Sequence, residues 1–416
     1  MSAGVRRTFD SLSVPNYRRY FVGQVISISG NWMQIVAEMW LIVQLTGSGV
    51  SVGVTAALQF LPMLLFGGWG GLLADRVPKL KLLQVTQAMM AVPALTLWGL
   101  TATGDITPWM VYALVLVRGS VLAVDSPARQ AFAMELVGPD RIVNAVALNS
   151  VVIHCARIAG PAGAGAVIAL LGVGPCFALN ALSFGAMLVA LRRMDRAALR
   201  TPAPAQRGKG DIRLALRHVR SLPGLWIPLA AMVLVGTLSF NFQVLMPLLA
   251  SQTWHGTATT YALMTMGMGV GSVTGALLTG LLGRVSPRLI VGAASAFGVF
   301  ELLTALAPSL PLQVLALVPL GAVSVTFAAS VNSSLQLTAA PAMRGRVMSL
   351  YTIVFLGSTP IGAPLVGWLA EVASPRAGLA LGAAAALLAA VGARAAYRTQ
   401  ARGRTGTSRA TVTASA

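Results

Sequence analysis

The stretch Gly70-Gly71-Leu72-Leu73-Ala74-Asp75-Arg76-Val77-Pro78-Lys79-Leu80-Lys81 passes from small and apolar side chains to a cluster of cations. Apolar sequence leads up to it from Val50 to Leu73 and away from it from Leu80 to Ala102. A helix needs about 20 apolar residues to cross a ~30 Å hydrocarbon core, so each flank suffices for one crossing. The cations between them then mark one face of a membrane. The same alternation of long apolar segment and short polar loop continues outward from this loop in both directions.

Of 416 residues, 56% are apolar and 10% charged, with a mean hydropathy of +0.77. A soluble domain averages roughly 25% charged residues, and a disordered chain needs low hydrophobicity with high charge. Both classes are excluded. Spans are predicted at Tyr20–Leu45, Val50–Leu73, Leu80–Ala102, Pro108–Ala128, Val143–Leu171 and Gly174–Leu191. Six more follow at Gly224–Ala250, Thr260–Leu282, Leu289–Leu306, Leu310–Leu337, Val347–Ala370 and Ala377–Tyr397. The first apolar stretch is longer than a secretory h-region and is expected to remain as the first span.

The formal net charge is +19, from 30 Lys and Arg against 11 Asp and Glu. All the cations except Arg118, Arg157 and Arg376 fall in the N-terminus, the loops after even-numbered spans, or the C-terminal end. The loops after the first, third, fifth, seventh and ninth spans contain neither Lys nor Arg. This asymmetry places both termini and the basic loops in the cytoplasm, in a multi-pass protein of a bacterial cytoplasmic (inner) membrane. The excess charge therefore faces lipid headgroups, and nucleic acid is not an expected partner. The predominance of Arg over Lys points to a GC-rich genome. Cys155 and Cys176 lie inside predicted spans and His154, His218 and His255 are far apart, so neither a disulfide framework nor a metal site is expected.

The organisation is a cytoplasmic N-terminus (1–19), a six-helix bundle (20–191), a basic cytoplasmic linker (192–223), a second six-helix bundle (224–397) and a disordered cytoplasmic tail (398–416). The linker should carry a short amphipathic helix near Asp211–Arg220, either as a tether to anionic headgroups or in a regulatory role. Two stretches recur six spans apart. Thr279-Gly280-Leu281-Leu282-Gly283-Arg284 matches the end of the second span, and Gly345-Arg346-Val347-Met348 matches Asp140-Arg141-Ile142-Val143. Such a duplication is how many secondary transporters are built, with the substrate site between the halves. The fold class read from the sequence is an all-α membrane protein, twelve transmembrane helices in two pseudo-symmetric six-helix bundles.

Several motifs carry a family likeness: Asn16-Tyr17-Arg18-Arg19, Leu45-Thr46-Gly47-Ser48, Gln59-Phe60-Leu61-Pro62, Ala74-Asp75-Arg76 and Pro127-Ala128-Arg129-Gln130. Asn144-Ala145, Asn149-Ser150, Arg157 with Gly160-Pro161, Asn180-Ala181 with Ser183-Phe184, and Arg344-Gly345-Arg346-Val347 continue it. Over roughly residues 12 to 397 the chain resembles the major facilitator superfamily, and within it the drug:proton antiporter branch of enterobactin-exporter-like and transmembrane secretion effector proteins. The resemblance implies that Gly71, Asp75, Arg76, Lys79 and Lys81 latch the halves on the cytoplasmic side. Pro78 and Leu80 depart from the family pattern there. It also implies an antiporter-type kink at Gly160 and Pro161, where proline removes a helix hydrogen bond. Gly362-Ala363-Pro364 with Pro360 would kink the eleventh span, while Gly67 with Gly71, and Gly267, Gly269, Gly271 and Gly275, would serve close packing.

Charge inside the hydrocarbon is costly and usually faces a cavity or a partner. Glu38 and Arg118 lie at similar depths in the first and fourth spans, helices that line the cavity in the resembled fold. They are read as a pair, acting either as a proton-coupling couple or as a static ion pair. Asp125 pairs with Arg157, or with Arg129 one turn on. His154 relays protons or is structural, and Glu301 sits on a helix that the fold places at the periphery. Candidate substrate-facing groups are Trp32, Gln34, Trp40, Tyr112, Asn241, Gln243, Phe327 and Asn332, which suit a sizeable amphipathic compound.

The expected function is export of an amphipathic or hydrophobic small molecule (drug, siderophore or other natural product) by proton antiport through alternating access. No cofactor is expected beyond the proton gradient, since no Walker-type sequence offers ATP drive. No nucleophile–base or metal constellation suggests an enzyme. Protons, the substrate and membrane lipids are the expected partners of a monomer. An uptake symporter of the same fold and a non-transporting membrane sensor are the rivals.

Overall fold

The computed structural model describes residues 10–199, 212–282, 286–341 and 343–413, with side chains described except those of Asp75, 212–215, Leu282 and 401–413. A short 3-10 turn at Asp10–Ser13 leads into α1 (Pro15–Thr46), α2 (Gly49–Arg76), α3 (Lys79–Thr103), α4 (Pro108–Val137), α5 (Ile142–Leu171) and α6 (Gly174–Arg192). After the linker come α7 (Ile212–Ser221), α8 (Pro223–Leu238), α9 (Phe242–Leu248), a π-turn at Leu249–Thr253, α10 (Ala258–Leu282) and α11 (Pro287–Leu306). The chain ends with α12 (Leu310–Thr338), α13 (Arg344–Gly357), α14 (Thr359–Val372) and α15 (Pro375–Thr413). Among the described residues, 11 segments are long and apolar enough to cross a membrane. The helix α1 is not among them. It carries Gln24, Asn31, Gln34 and Glu38, and the bundle buries Gln24, Gln34 and Glu38.

Helix ends sit where local chemistry puts them. Gly47 and Gly104 follow α1 and α3 at φ of 62° and 81°, a left-handed conformation that costs glycine little. Proline opens α1, α4, α8, α11 and α15, where its missing N–H is not needed. The seventh span is discontinuous: Asn241 separates α8 from α9, Phe240 N–H donates to the Val235 carbonyl, and Pro247 is followed by the π-turn. The eleventh span breaks at Ser358 between α13 and α14, beside Pro360, which was part of the expected kink, and not at Gly362-Ala363-Pro364. There Pro360 takes one of the first positions of α14, which leaves Pro364 inside a continuous helix. By contrast α5 runs unbroken through Pro161.

Three expectations are corrected. Pro15–Arg19 belong to α1 and not to a terminal segment, and α15 continues to Thr413 where a disordered tail was expected after Arg398. Adding residues to an existing helix avoids the nucleation cost. Gly67 faces open space; it is Gly70 whose added Cβ would meet the Ala123 carbonyl of α4. The amphipathic helix of the linker is present as α7, with Val219 buried, while residues 200–211 lie outside the described residues.

Two halves pack about a central seam, α1–α6 against α8–α15, and the seam is tight at one end. Cβ atoms at Gly49 and Gly53 of α2 would strike the Gly367 and Ala363 carbonyls of α14, and one at Gly165 of α5 would strike Ala262 of α10. Three hydrogen bonds cross there. The Glu371 carboxylate of α14 accepts from Ser48 Oγ at 2.5 Å and from the Val50 N–H at 3.0 Å, and Gln252 Nε2 donates to the Gly47 carbonyl at 2.9 Å. Trp40 stacks on Tyr261 across the same seam, with centroids 6.4 Å apart. Toward the basic loops the facing helices part. Gly269 is the last glycine of α10 to meet α5, Gly271 and Gly275 packing on Val318 and Ala322 of α12, and past Leu64 the side chains of Phe66, Trp69, Leu72 and Leu73 on α2 are exposed.

Glu371 therefore caps the first turn of a helix in the opposite half, where the helix dipole favours an anion. Glu371→Ala should loosen that end of the seam about threefold, read as faster maleimide labelling of a cysteine placed at Val50, a change that keeps the backbone N–H donated to Glu371. Unchanged labelling would remove Glu371 from the seam.

Candidate functional site

Buried polarity in the N-terminal half is organised by α1, α3, α4 and α6. Glu38 and Arg118 meet as expected, Arg118 Nη2 lying 2.7 Å from Glu38 Oε2 with side-chain exposures of 1% and 0%. Gln34 Nε2 donates to the other carboxylate oxygen at 2.7 Å, and Gln34 Oε1 in turn accepts from Asn180 Nδ2 of α6. Arg118 Nη1 donates to Asn31 Oδ1 at 3.1 Å. The helical period explains this division of α1. Asn31, Trp32, Ile35 and Val36 look into a central cavity, while Gln34 and Glu38 point back into the half.

That is a partial correction of the sequence reading. The pair forms, but behind the cavity wall, and among the described hydrogen bonds the one to Asn31 connects it to the cavity. A salt bridge this dry gains little net stability, because desolvation offsets the Coulomb attraction, yet removing one partner is costly.

Asp125 does not pair with Arg157. Its carboxylate binds Arg129 of the same helix and accepts from Thr86 Oγ1 at 2.6 Å and Gln87 Nε2 at 2.8 Å, both of α3. A partner one turn away on a rigid helix needs no tertiary alignment, so Arg129 wins. Arg157 instead places its guanidinium carbon 5.3 Å from the centroid of the Trp32 ring. Its Nε is buried without a hydrogen-bond partner, as is His154 Nδ1 one turn earlier.

Two cavities touch this network. A chamber of about 520 Å³ inside the N-terminal half is bordered by Tyr20, Asn31, Asp125, Arg129 and Asn149. The central cavity, about 380 Å³, lies between the halves and is bordered by α1, α2, α4, α5, α9, α10, α13 and α14. Asn31 and Leu122 line both. Of the predicted substrate-facing groups, Trp32, Asn241 and Gln243 reach the central cavity. The other five are elsewhere. Gln34 serves the buried pair, Trp40 lies in the seam against Tyr261, and Tyr112 packs on the main apolar cluster. Phe327 packs on Phe297, and Asn332 accepts from Gln336 on α12. A one-dimensional sequence gives the depth of a residue but not the rotation of its helix, which packing decides.

The cavity wall also holds residues that the reading of spans one, four, seven and ten passed over: Gln59 and Phe60 of α2, Tyr261 of α10 and Phe355 of α13. Gln59-Phe60 was visible as a motif, without a direction. The latch region is described in part. Gly71 and Arg76 end α2, Lys79 Nζ sits 3.2 Å from Glu135 Oε1 of α4 in the same half, and Lys81 is exposed. The side chain of Asp75 lies outside the described residues. Among the described residues no hydrogen bond or ion pair carries Arg76, Lys79 or Lys81 to the other half, as expected where the seam is open. Gly160 packs where α5 crosses α1, its added Cβ meeting Trp32 and the Ser29 carbonyl. Glu301, expected at the periphery, is fully buried between α11 and α15, with Gly382 pressed against its carboxylate.

The comparisons with known proteins agree with this architecture. The chain is 22% identical to the staphyloferrin A transporter of Staphylococcus aureus over 62% of its own length and 65% of that protein, so the match spans somewhat less than two thirds of this relative. It is 24% identical to macrolide efflux protein A of Streptococcus pyogenes (84% and 88% covered) and 27% identical to the enterobactin exporter of Citrobacter koseri (87% and 86% covered). A bacterial homologue of the iron transporter ferroportin, solved in an inward-facing state, superimposes with a TM-score of 0.70 at 15% identity, covering 92% of this chain and 98% of that one. The family model for transmembrane secretion effectors matches residues 7–409. The chain is thus a multi-pass membrane transporter rather than an enzyme, and it belongs to the transmembrane secretion effector family of the major facilitator superfamily.

Proposed function

We propose that the protein exports an amphipathic or hydrophobic small molecule in exchange for protons, by alternating access, from a bacterial cytoplasm. The observation that carries the reading is the Glu38–Arg118 pair, dry inside the N-terminal half and joined to the cavity wall through Asn31. A buried carboxylate holds its charge only while a cation answers it, and desolvation favours the neutral form. Substrate that draws Asn31 inward, or closure of the cavity about it, would alter the Asn31–Arg118 contact and with it the hold of Arg118 on Glu38. Glu38 would then take a proton as substrate leaves, and release it when the pair re-forms. The chamber bordered by Asp125 and Arg129 would give protons an approach within the N-terminal half. With the basic loops cytoplasmic, this reading makes the tight Glu371 end of the seam the outer gate.

The export direction is supported by the relatives, named for efflux of a macrolide and export of enterobactin. In inside-out vesicles, an acidified lumen is expected to drive substrate inward. Accumulation in Glu38→Gln vesicles should fall to the level seen with a protonophore, while counterflow without a gradient persists. Substrate leaving an acidified lumen would mean uptake by symport, and undiminished accumulation by Glu38→Gln would take that residue out of the coupling.

A further inference from the structure

Lys79, Arg118, Arg129 and Arg141 each meet a carboxylate. Arg157, which reaches the central cavity, does not. Among the described residues it makes no ion pair or hydrogen bond, and its guanidinium lies over the face of Trp32 at 5.3 Å. The central cavity that both residues line carries no Asp or Glu, so Arg157 is its sole full charge. The same wall leaves Gln59 Oε1, Asn241 Oδ1 and Gln243 Oε1 buried without partners. Aromatic rings from both halves, Phe240 and Tyr261 among them, complete it.

A guanidinium drawn out of water without an anion is costly, and an anion that arrives in the cavity recovers that cost. The Trp32 ring lies against the guanidinium, whose own planar fork suits it to a planar acid group held through two parallel hydrogen bonds. A cationic compound would meet an unanswered positive charge in a low dielectric. We propose that the central cavity selects anionic, planar aromatic small molecules, with Arg157 receiving the acid group, Trp32 orienting it, and the unpaired amides meeting hydroxyl or N–H groups of the same compound. Gly269 of α10 packs on the Arg157 backbone, so the acid group would sit at the boundary of the two halves. The proposal deepens the exporter reading by naming the charge of its substrate.

The test uses the full chain in phosphatidylcholine nanodiscs and three probes with one aromatic body: 2-naphthylacetate, 2-naphthaleneethanol and 2-naphthylethylamine. Calorimetric titration, corrected with empty discs, should show the acid binding about tenfold tighter than the alcohol and the amine weakest. Arg157→Gln should bring the acid to the affinity of the alcohol and leave the alcohol within about twofold of the parent, which also shows that the cavity is intact. Arg157→Lys should keep part of the preference. An acid that binds no tighter than the alcohol, or a preference that survives Arg157→Gln, overturns the proposal. So does loss of acid binding on adding phosphatidylglycerol, since the cavity would then be a lipid headgroup site. No proton gradient enters this measurement, so a failure of antiport in the vesicle assay would leave its outcome standing.

Discussion

Replacing Arg118 with Ala is expected to destabilise the folded protein by about 3–5 kcal/mol and to abolish gradient-driven transport. The change leaves the Glu38 carboxylate buried in a dry half with only Gln34 as a described donor, and an uncompensated buried charge is among the costliest defects a fold can carry. The measurements are the thermal midpoint in detergent and accumulation in vesicles. The double variant Glu38→Gln/Arg118→Gln separates the two roles of the pair. It removes both charges and restores hydrogen-bonding partners, so most of the lost stability should return while gradient-driven accumulation stays absent. Return of both would reduce the pair to a structural tie between α1 and α4. A loss of stability in Arg118→Ala below about 1 kcal/mol would show that the site is wetter than its exposures of 1% and 0% imply.

The second large effect belongs to the tight end of the seam. Gly53→Leu should disable transport without unfolding the protein. A Cβ at residue 53 would strike the Ala363 carbonyl and Pro364 Cα of α14, backbone atoms that cannot rotate away. Overpacking of a close contact costs about 1–3 kcal/mol, and here the cost falls only on the state in which this end is closed. The ratio of closed to open carriers should therefore shift by about 5–150-fold toward open. Labelling of a cysteine at Ser48 by an impermeant maleimide should accelerate accordingly, with an unchanged circular dichroism spectrum. Slow labelling together with full transport would mean that α2 and α14 do not form a moving seam.

How much of the site was legible in the sequence depended on whether its geometry was local. Glu38 and Arg118 could be paired from depth together with the resembled fold, because a span has a fixed rise per residue and few charges compete for partners inside a membrane. The link from Asp125 to Arg129 was likewise readable as a one-turn contact. Arg157 could not be placed. Its stack on Trp32 needs the crossing of α5 over α1 at Gly160, which no residue spacing states. Glu371 was passed over because a charge at the end of a span looks like any loop charge until the opposite half brings Ser48 and Val50 to it.

The sequence by itself determined that the chain crosses a membrane many times, that its basic loops share one face, and that it is duplicated into halves. Those properties follow from transfer free energy and charge, which sum along the chain in one dimension. Only the tertiary structure decided which faces of the helices line the cavity, where the seventh and eleventh spans break, and which end of the bundle is sealed. Helix rotation and helix–helix approach are set by packing between segments far apart in sequence, where small residues such as Gly49, Gly53 and Gly367 allow backbones to touch.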